Sequence, residues 1–190
     1  MSYAIIRNDK LTRVDAQGSY IHNDRRSKGH SNKDIDPTRT HLNFWCKKNE
    51  LTYIKEFDKL KKEYDLKGII KSNSIIMCEM MITSDNAFFN KIGLAETKRY
   101  FKESYKFVCD YKNLGEKYIV SAAVHLDEMT PHMHLIFLKY KAKFLNHNFQ
   151  TFVISLEYRY GKDRYGFTHT CLSYRYSTEH LPEDLTDMCL

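Results

Sequence analysis

No stretch of this 190-residue sequence approaches the run of about eighteen apolar residues that a membrane-spanning helix needs. The opening Met1-Ser2-Tyr3-Ala4-Ile5-Ile6-Arg7 also lacks an apolar leader, so neither a helical membrane protein nor a secreted one is expected. The five cysteines (Cys46, Cys78, Cys109, Cys171 and Cys189) contain no Cys-x-x-Cys pair and are odd in number. With no apolar leader, that reads as a reducing, cytoplasmic setting. Residues 141–190 lack net charge, with six basic against six acidic side chains, so the whole +6 excess lies in residues 1–140. A basic portion of that size suits a polyanionic partner. The length fits one domain or slightly more.

The segment Val124-His-Leu-Asp-Glu-Met-Thr-Pro-His-Met-His134 places three imidazoles and two carboxylates in eleven positions. Side chains alternate along a strand, so His132 and His134 project from one face. His125 ends a second apolar run, Tyr118 to Val124, and the stretch Asp127 to Pro131 between the runs has turn-forming composition. Paired as a hairpin, the runs bring His125 level with His132 and His134. Three neutral imidazoles converging from two strands form a divalent-metal site with coordination positions left over for a substrate oxygen. One His-x-His pair among nine histidines means little; the longer pattern with an acidic turn between strand-like runs means more.

Other periodicities give the frame. Tyr3–Arg7 reads as a strand, and residues 18–43 as a long polar, basic loop. Leu51, Ile54, Phe57, Leu60 and Tyr64 step at helical spacing, with Gly68 closing that element. Ser74–Thr83 is a buried strand, and Glu96–Tyr111 a second helix. The expected class is α+β: a mainly antiparallel sheet with helices packed on one face. Met133, Leu135 and Phe137 should face the helices. Ser121, Ala123 and His125 should share the other face, where small side chains leave space for a ligand. Residues 1–140, which hold the metal candidate and the basic excess, form the expected functional unit. Residues 141–190, rich in aromatics but without a clear amphipathic period, form a divergent tail.

In the basic loop, His22 and Arg25 can bring a nitrogen and a planar guanidinium fork to one phosphate. Arg25, Arg26, Lys28, Lys33 and Arg39 concentrate positive charge there. Taken alone, such a loop reads first as a solvated basic surface.

The two clusters together resemble one family. His22-Asn-Asp-Arg25, then His30-Ser-Asn-Lys-Asp-Ile-Asp-Pro-Thr-Arg-Thr-His-Leu-Asn-Phe44, Met81-Ile-Thr-Ser-Asp85 and the His125–His134 segment are similar to successive motifs of the Pre/Mob mobilisation relaxases of small rolling-circle plasmids. The resemblance covers residues 1 to about 140 and implies a relaxase sandwich of the histidine-hydrophobe-histidine type. It implies nicking of one strand at a plasmid origin of transfer, with the 5′ phosphate kept as a covalent adduct, in mobilisation and recombination. By the same resemblance His125, His132 and His134 hold one divalent cation, manganese or magnesium, and Glu128 orients a ligand histidine or handles a proton. His22 is then the nucleophile and Arg25 lies beside the scissile phosphate. Arg25, Arg26, Lys28, Lys33, Arg39 and Lys71 are the expected DNA contacts. The expected partner is plasmid DNA presented single-stranded or as a hairpin, since the target strand must be unpaired. A homodimer is an expectation for full-length relatives.

Three departures from the family pattern stand out. Lys71 replaces an expected arginine, no Gly-Arg/Lys-Leu-Ser segment follows the metal strand, and the long charged helical region of relatives is missing after residue 140, as a frameshift or recombination would produce. The aromatic of the Leu-Asn-aromatic motif is Phe44, which has no phenol, so Tyr20 is the alternative nucleophile. Two further readings compete: a DNA-binding remnant that no longer nicks, and a metal module or small hydrolase, which would have no need of the His22–Arg25 pair.

Overall fold

The computed structural model describes residues 2–27, 32–110, 115–139, 152–162 and 168–176, the last two segments as strands only. Seven strands form one antiparallel sheet in the order β2-β4-β5-β3-β1-β6-β7. They are β1 (Ser2–Leu11), β2 (Phe44–Lys47), β3 (Met77–Thr83), β4 (Ile119–His125), β5 (His132–Leu138), β6 (Phe152–Lys162) and β7 (Thr168–Tyr176). Among the described residues three α-helices accompany them: α1 (Arg13–Asn23), α2 (Tyr53–Glu63) and α3 (Asn86–Asp110).

Alternation along the central strands divides the core in two. Met133, Leu135 and Phe137 of β5, with Cys78, Met80 and Ile82 of β3 and Ala4 and Ile6 of β1, pack against Phe88, Phe89, Tyr100 and Phe101 of α3. The opposite residues Ile136 and Leu138, with Met77 and Leu11, pack against Ala16 of α1 and Tyr53 and Phe57 of α2. Burying an aromatic such as Phe57, fully covered, stabilises the fold by about 1.5–3 kcal/mol. The α+β class, the mainly antiparallel sheet and the helix-facing side of β5 are as expected. The helices, however, occupy both faces rather than one. α3 covers one face; α1 and α2 pack on the other, with the C-terminal end of α1 reaching the strand histidines.

Four elements depart from the sequence reading. The expected loop from residue 18 begins inside α1, whose start carries a capping box: the Thr12 side chain accepts from the Asp15 amide and the Asp15 side chain accepts from the Thr12 amide. The short edge strand β2 was not expected either. α2 ends at Glu63, before Gly68. α3 begins ten residues earlier than its apolar stripe suggests and breaks at Gly93, where φ 73 and ψ 175 suit glycine. Within residues 141–190, the segment expected as a divergent tail, β6 and β7 extend the sheet from β1; the rest of that segment lies outside the described residues. No helix among the described residues is long and apolar enough to cross a membrane.

Candidate metal centre

The β4–β5 pairing sets His125 opposite His132 and Ala123 opposite His134, on the face away from α3. The three rings lie 4.8–5.2 Å apart between centroids. Each ring has one nitrogen engaged by the protein. His125 Nε2 is 3.0 Å from the Asn23 carbonyl, His132 Nδ1 is 2.8 Å from the Thr130 carbonyl, and His134 Nδ1 is 2.8 Å from Glu79 Oε1. Those partners are acceptors, so each engaged nitrogen carries the proton and the other keeps its lone pair. The remaining His125 Nδ1 and His134 Nε2 are buried and have no hydrogen-bond partner. Buried, unprotonated, orphaned nitrogens turned toward one point are what a divalent cation requires of imidazole ligands.

The end of α1 brings a fourth ring. His22 lies in its last turn, 5.2 Å from His125 and 5.3 Å from His134 between centroids. One nitrogen from each of the four histidines falls within a cluster no more than 4.8 Å across. The small residues Ser121 and Ala123 are fully buried, as is Asn23 above them. The room they leave is thus occupied by the end of α1, which seats His22 beside the three strand histidines.

Carboxylates surround this cluster. Glu128 Oε1 lies 3.4 Å from His125 Nδ1, 3.5 Å from His22 Nε2 and 3.7 Å from His132 Nε2. Glu128 also accepts from Arg25 Nη2 at 2.6 Å and from Asn32 Nδ2 at 2.9 Å. Burial pushes its carboxyl up, but the histidines and Arg25 outweigh that and hold it well below the usual carboxylate range. Burial, together with the neighbouring histidines, pushes His22 down to about 4; burial and the field of His134 do the same to His132. His125 is lowered too, chiefly by burial. These imidazoles are therefore neutral at pH 7, as ligands and nucleophiles must be.

Of the sequence-derived site residues, the fold assembles His22, Arg25, Glu128, His125, His132 and His134. Arg25 turns inward, with its side chain 7% exposed against Asp127 and Glu128. Arg26, Lys33 and Arg39 are exposed. The segment bearing Lys33 and Arg39 is tied to the β4–β5 turn, where Asp36 N donates to the Asp127 carbonyl at 2.7 Å and Thr40 Oγ1 to Asp127 Oδ2 at 2.9 Å. Lys28 lies outside the described residues. Lys71 sits in the turn before β3, at the opposite end of that strand from Thr83, the partner of His132. Phe44 is paired with Val124 and packs on the α3 side of the sheet, away from the histidines.

Sequence reasoning missed three residues here. Glu79, on β3, orients His134 and also accepts from Ser19 Oγ and Asn23 Nδ2, each at 3.2 Å. Asp127 binds Arg25. Arg7 lies on the cross-strand row Ala123–His134–Met81–Arg7 and is exposed. A lone acid inside the apolar run Met77-Cys-Glu-Met-Met81 was the one readable signal, since an unpaired carboxylate is rarely buried in a sheet.

Comparison with known proteins agrees with this geometry. The family model of plasmid recombination enzymes (Mob_Pre) matches residues 1–163. The chain is 36% identical over 138 residues to a plasmid recombination enzyme of Streptococcus agalactiae, covering 71% of this chain and 28% of that protein. It is 37% identical over 137 residues to one from a Bacillus species, covering 71% and 32%. The chain thus spans about a third of the length of the curated relatives it matches. Among solved structures, the manganese-bound relaxase domain of MobM in complex with plasmid pMV158 oriT DNA is similar at 34% identity and a TM-score of 0.66, over 72% of this chain and 70% of that one. A second MobM–oriT complex, at pH 5.5, matches with a TM-score of 0.65 and 33% identity. On family match, relatives and fold together, the chain belongs to the plasmid recombination (Mob/Pre) enzyme family.

Proposed function

We propose that residues 1–140 act as a relaxase that nicks one strand at a plasmid origin of transfer and retains the 5′ phosphate covalently. The observation that carries this reading is the set of three strand histidines whose outer nitrogens are satisfied, two of them (His125 and His134) with buried inner nitrogens that have no hydrogen-bond partner, with the His22 ring beside them. His125, His132 and His134 would hold one divalent cation, manganese by analogy with the MobM domain. When bound, such an ion supplies positive charge to the non-bridging oxygens of the scissile phosphate.

The chain's own residues do the rest. A ring nitrogen of the neutral His22 forms the N–P bond as the P–O3′ bond breaks. The proton shed by the imidazole ends on the departing 3′ oxygen, and Glu128 Oε1, 3.5 Å from His22 Nε2, is placed to relay it. The adduct conserves the bond energy, so the same site can rejoin strands. Exposed Arg26, Lys33 and Arg39 at the rim, and Arg7 on the open sheet face, are placed to contact phosphates of an unpaired strand.

The test is a nicking assay on supercoiled plasmid carrying the cognate origin. The expected result is an open-circular product with protein attached, formed in manganese and abolished by chelator. Salt-sensitive origin binding without nicking would instead favour the remnant reading, and nicking in chelator would exclude a metal-dependent site.

A further inference from the structure

We propose that Asp127 is a positioning residue: through Arg25 it fixes the end of α1, and with it His22, against the histidine cluster. This rests on the reading of His22 as nucleophile. Arg25 follows the last turn of α1 and adopts φ 52, a left-handed conformation uncommon for a residue with a side chain. That backbone turn aims its guanidinium inward. Nε donates to Asp127 Oδ2 at 3.0 Å and Nη2 to Oδ1 at 2.6 Å, a fork on one carboxylate. Nη2 also reaches Glu128 Oε1 at 2.6 Å, and Nη1 the His22 carbonyl at 3.0 Å. With every nitrogen engaged and the side chain nearly covered, the fork is not presented to an incoming phosphate.

Asp127 is fully buried and joins three segments. Its carboxylate also accepts from Thr40 Oγ1, and its carbonyl from Asp36 N, so the end of α1, residues 36–40 and the β4–β5 turn meet on one residue. The rest of α1 is held elsewhere, by Ala16 in the core and by Arg13 paired with Asp58 of α2. Its C-terminal turn is held by Tyr20 against Tyr53 and by the buried Asn23, which donates to Tyr53 and Glu79, but neither contact sets the direction of the residues that follow, as the Arg25 fork does. A buried ion pair is weak evidence for stability in itself. A planar fork, by contrast, fixes direction, and direction is what in-line attack from the helix end needs.

Asp127→Asn and Arg25→Lys test this, the first keeping shape without charge, the second charge without the fork. Four quantities are read on the full chain: manganese affinity by calorimetry, salt dependence of origin binding, single-turnover adduct formation at saturating DNA, and amide exchange at residues 22–26. The proposal expects manganese affinity and salt slope to hold, the adduct rate to fall on the order of 100-fold, and the amides of Asp24, Arg25 and Arg26 to exchange faster. A salt slope shallower by about one unit with an unchanged saturated rate would make Arg25 a phosphate contact and overturn it. Loss of manganese affinity would overturn it too, by moving the pair's role to the metal site. Should the unsubstituted chain form no adduct, the proposed function fails, and amide exchange alone decides: unchanged exchange in both variants removes the lock.

Discussion

Replacing Glu79 with alanine removes the group that sets the tautomer and tilt of His134. Glu79 Oε1 stands 2.8 Å from His134 Nδ1, and its side chain is only 13% exposed. Burial raises its carboxyl, but the contacts with His134, Asn23 and Ser19 lower it further, so it is an ionised acceptor at neutral pH. That acceptor keeps the proton on Nδ1 and the lone pair on Nε2. Without it, His134 is free to protonate the wrong nitrogen or turn its ring, and Ser19 and Asn23 lose a partner. Losing such an outer-shell partner weakens metal affinity about 10–100-fold, which is about 1.4–2.7 kcal/mol. Glu79→Gln retains a carbonyl acceptor at the same position, so its loss should lie below that of Glu79→Ala. The assay is calorimetric titration of manganese into chelator-stripped protein. If Glu79→Ala binds manganese as the unsubstituted chain does, or if Gln is as damaging as Ala, the hydrogen bond does not orient His134 and the reasoning fails.

Three further outcomes are expected. His22→Ala should bind origin DNA normally and form no covalent adduct on denaturing gels, while Tyr20→Phe should leave adduct formation within about twofold, the spread of a change that touches no transition-state contact. Origin binding should weaken log-linearly with salt; Arg7→Gln or Arg26→Gln should shallow the slope by about one unit, and Lys71→Gln, at the far end of β3, should not. Because His22 is pushed down to about 4, its neutral form persists well below the ordinary histidine range. With metal saturating, adduct formation should therefore hold from pH 7 to about pH 5 and fall as pH drops through about 4; a pH–rate profile falling through about 6.5 would show an unperturbed histidine instead.

Much of this architecture was legible because it rests on short-range patterns. The alternation in His132-Met-His-Leu-Ile-Phe-Leu138 assigned both faces of β5, and the seven-residue gap to His125 set the hairpin register. α1 was not legible, since its exposed Val14, Ile21 and central Gly18 blur the apolar stripe and only Ala16 and Asn23 are buried. Its capping box, Thr12 with Asp15, was present in the sequence and is the signal that marks the helix start. Asp127 read as a turn former because its partner, Arg25, lies 102 residues away. Arg7 was read only as part of a strand. Nothing local relates it to His134; two strand pairings are needed to place them on one row.

The role proposed for His22, seated beside three metal-ready histidines, is to become the covalent link to DNA. It is tested most directly by trapping the chain on a single-stranded origin oligonucleotide in manganese and locating the modified residue by mass spectrometry, before and after mild acid. The expected product is an acid-labile phosphoramidate on His22, lost in His22→Ala and absent with chelator. An acid-stable adduct on Tyr20, or an adduct that survives His22→Ala, would contradict it.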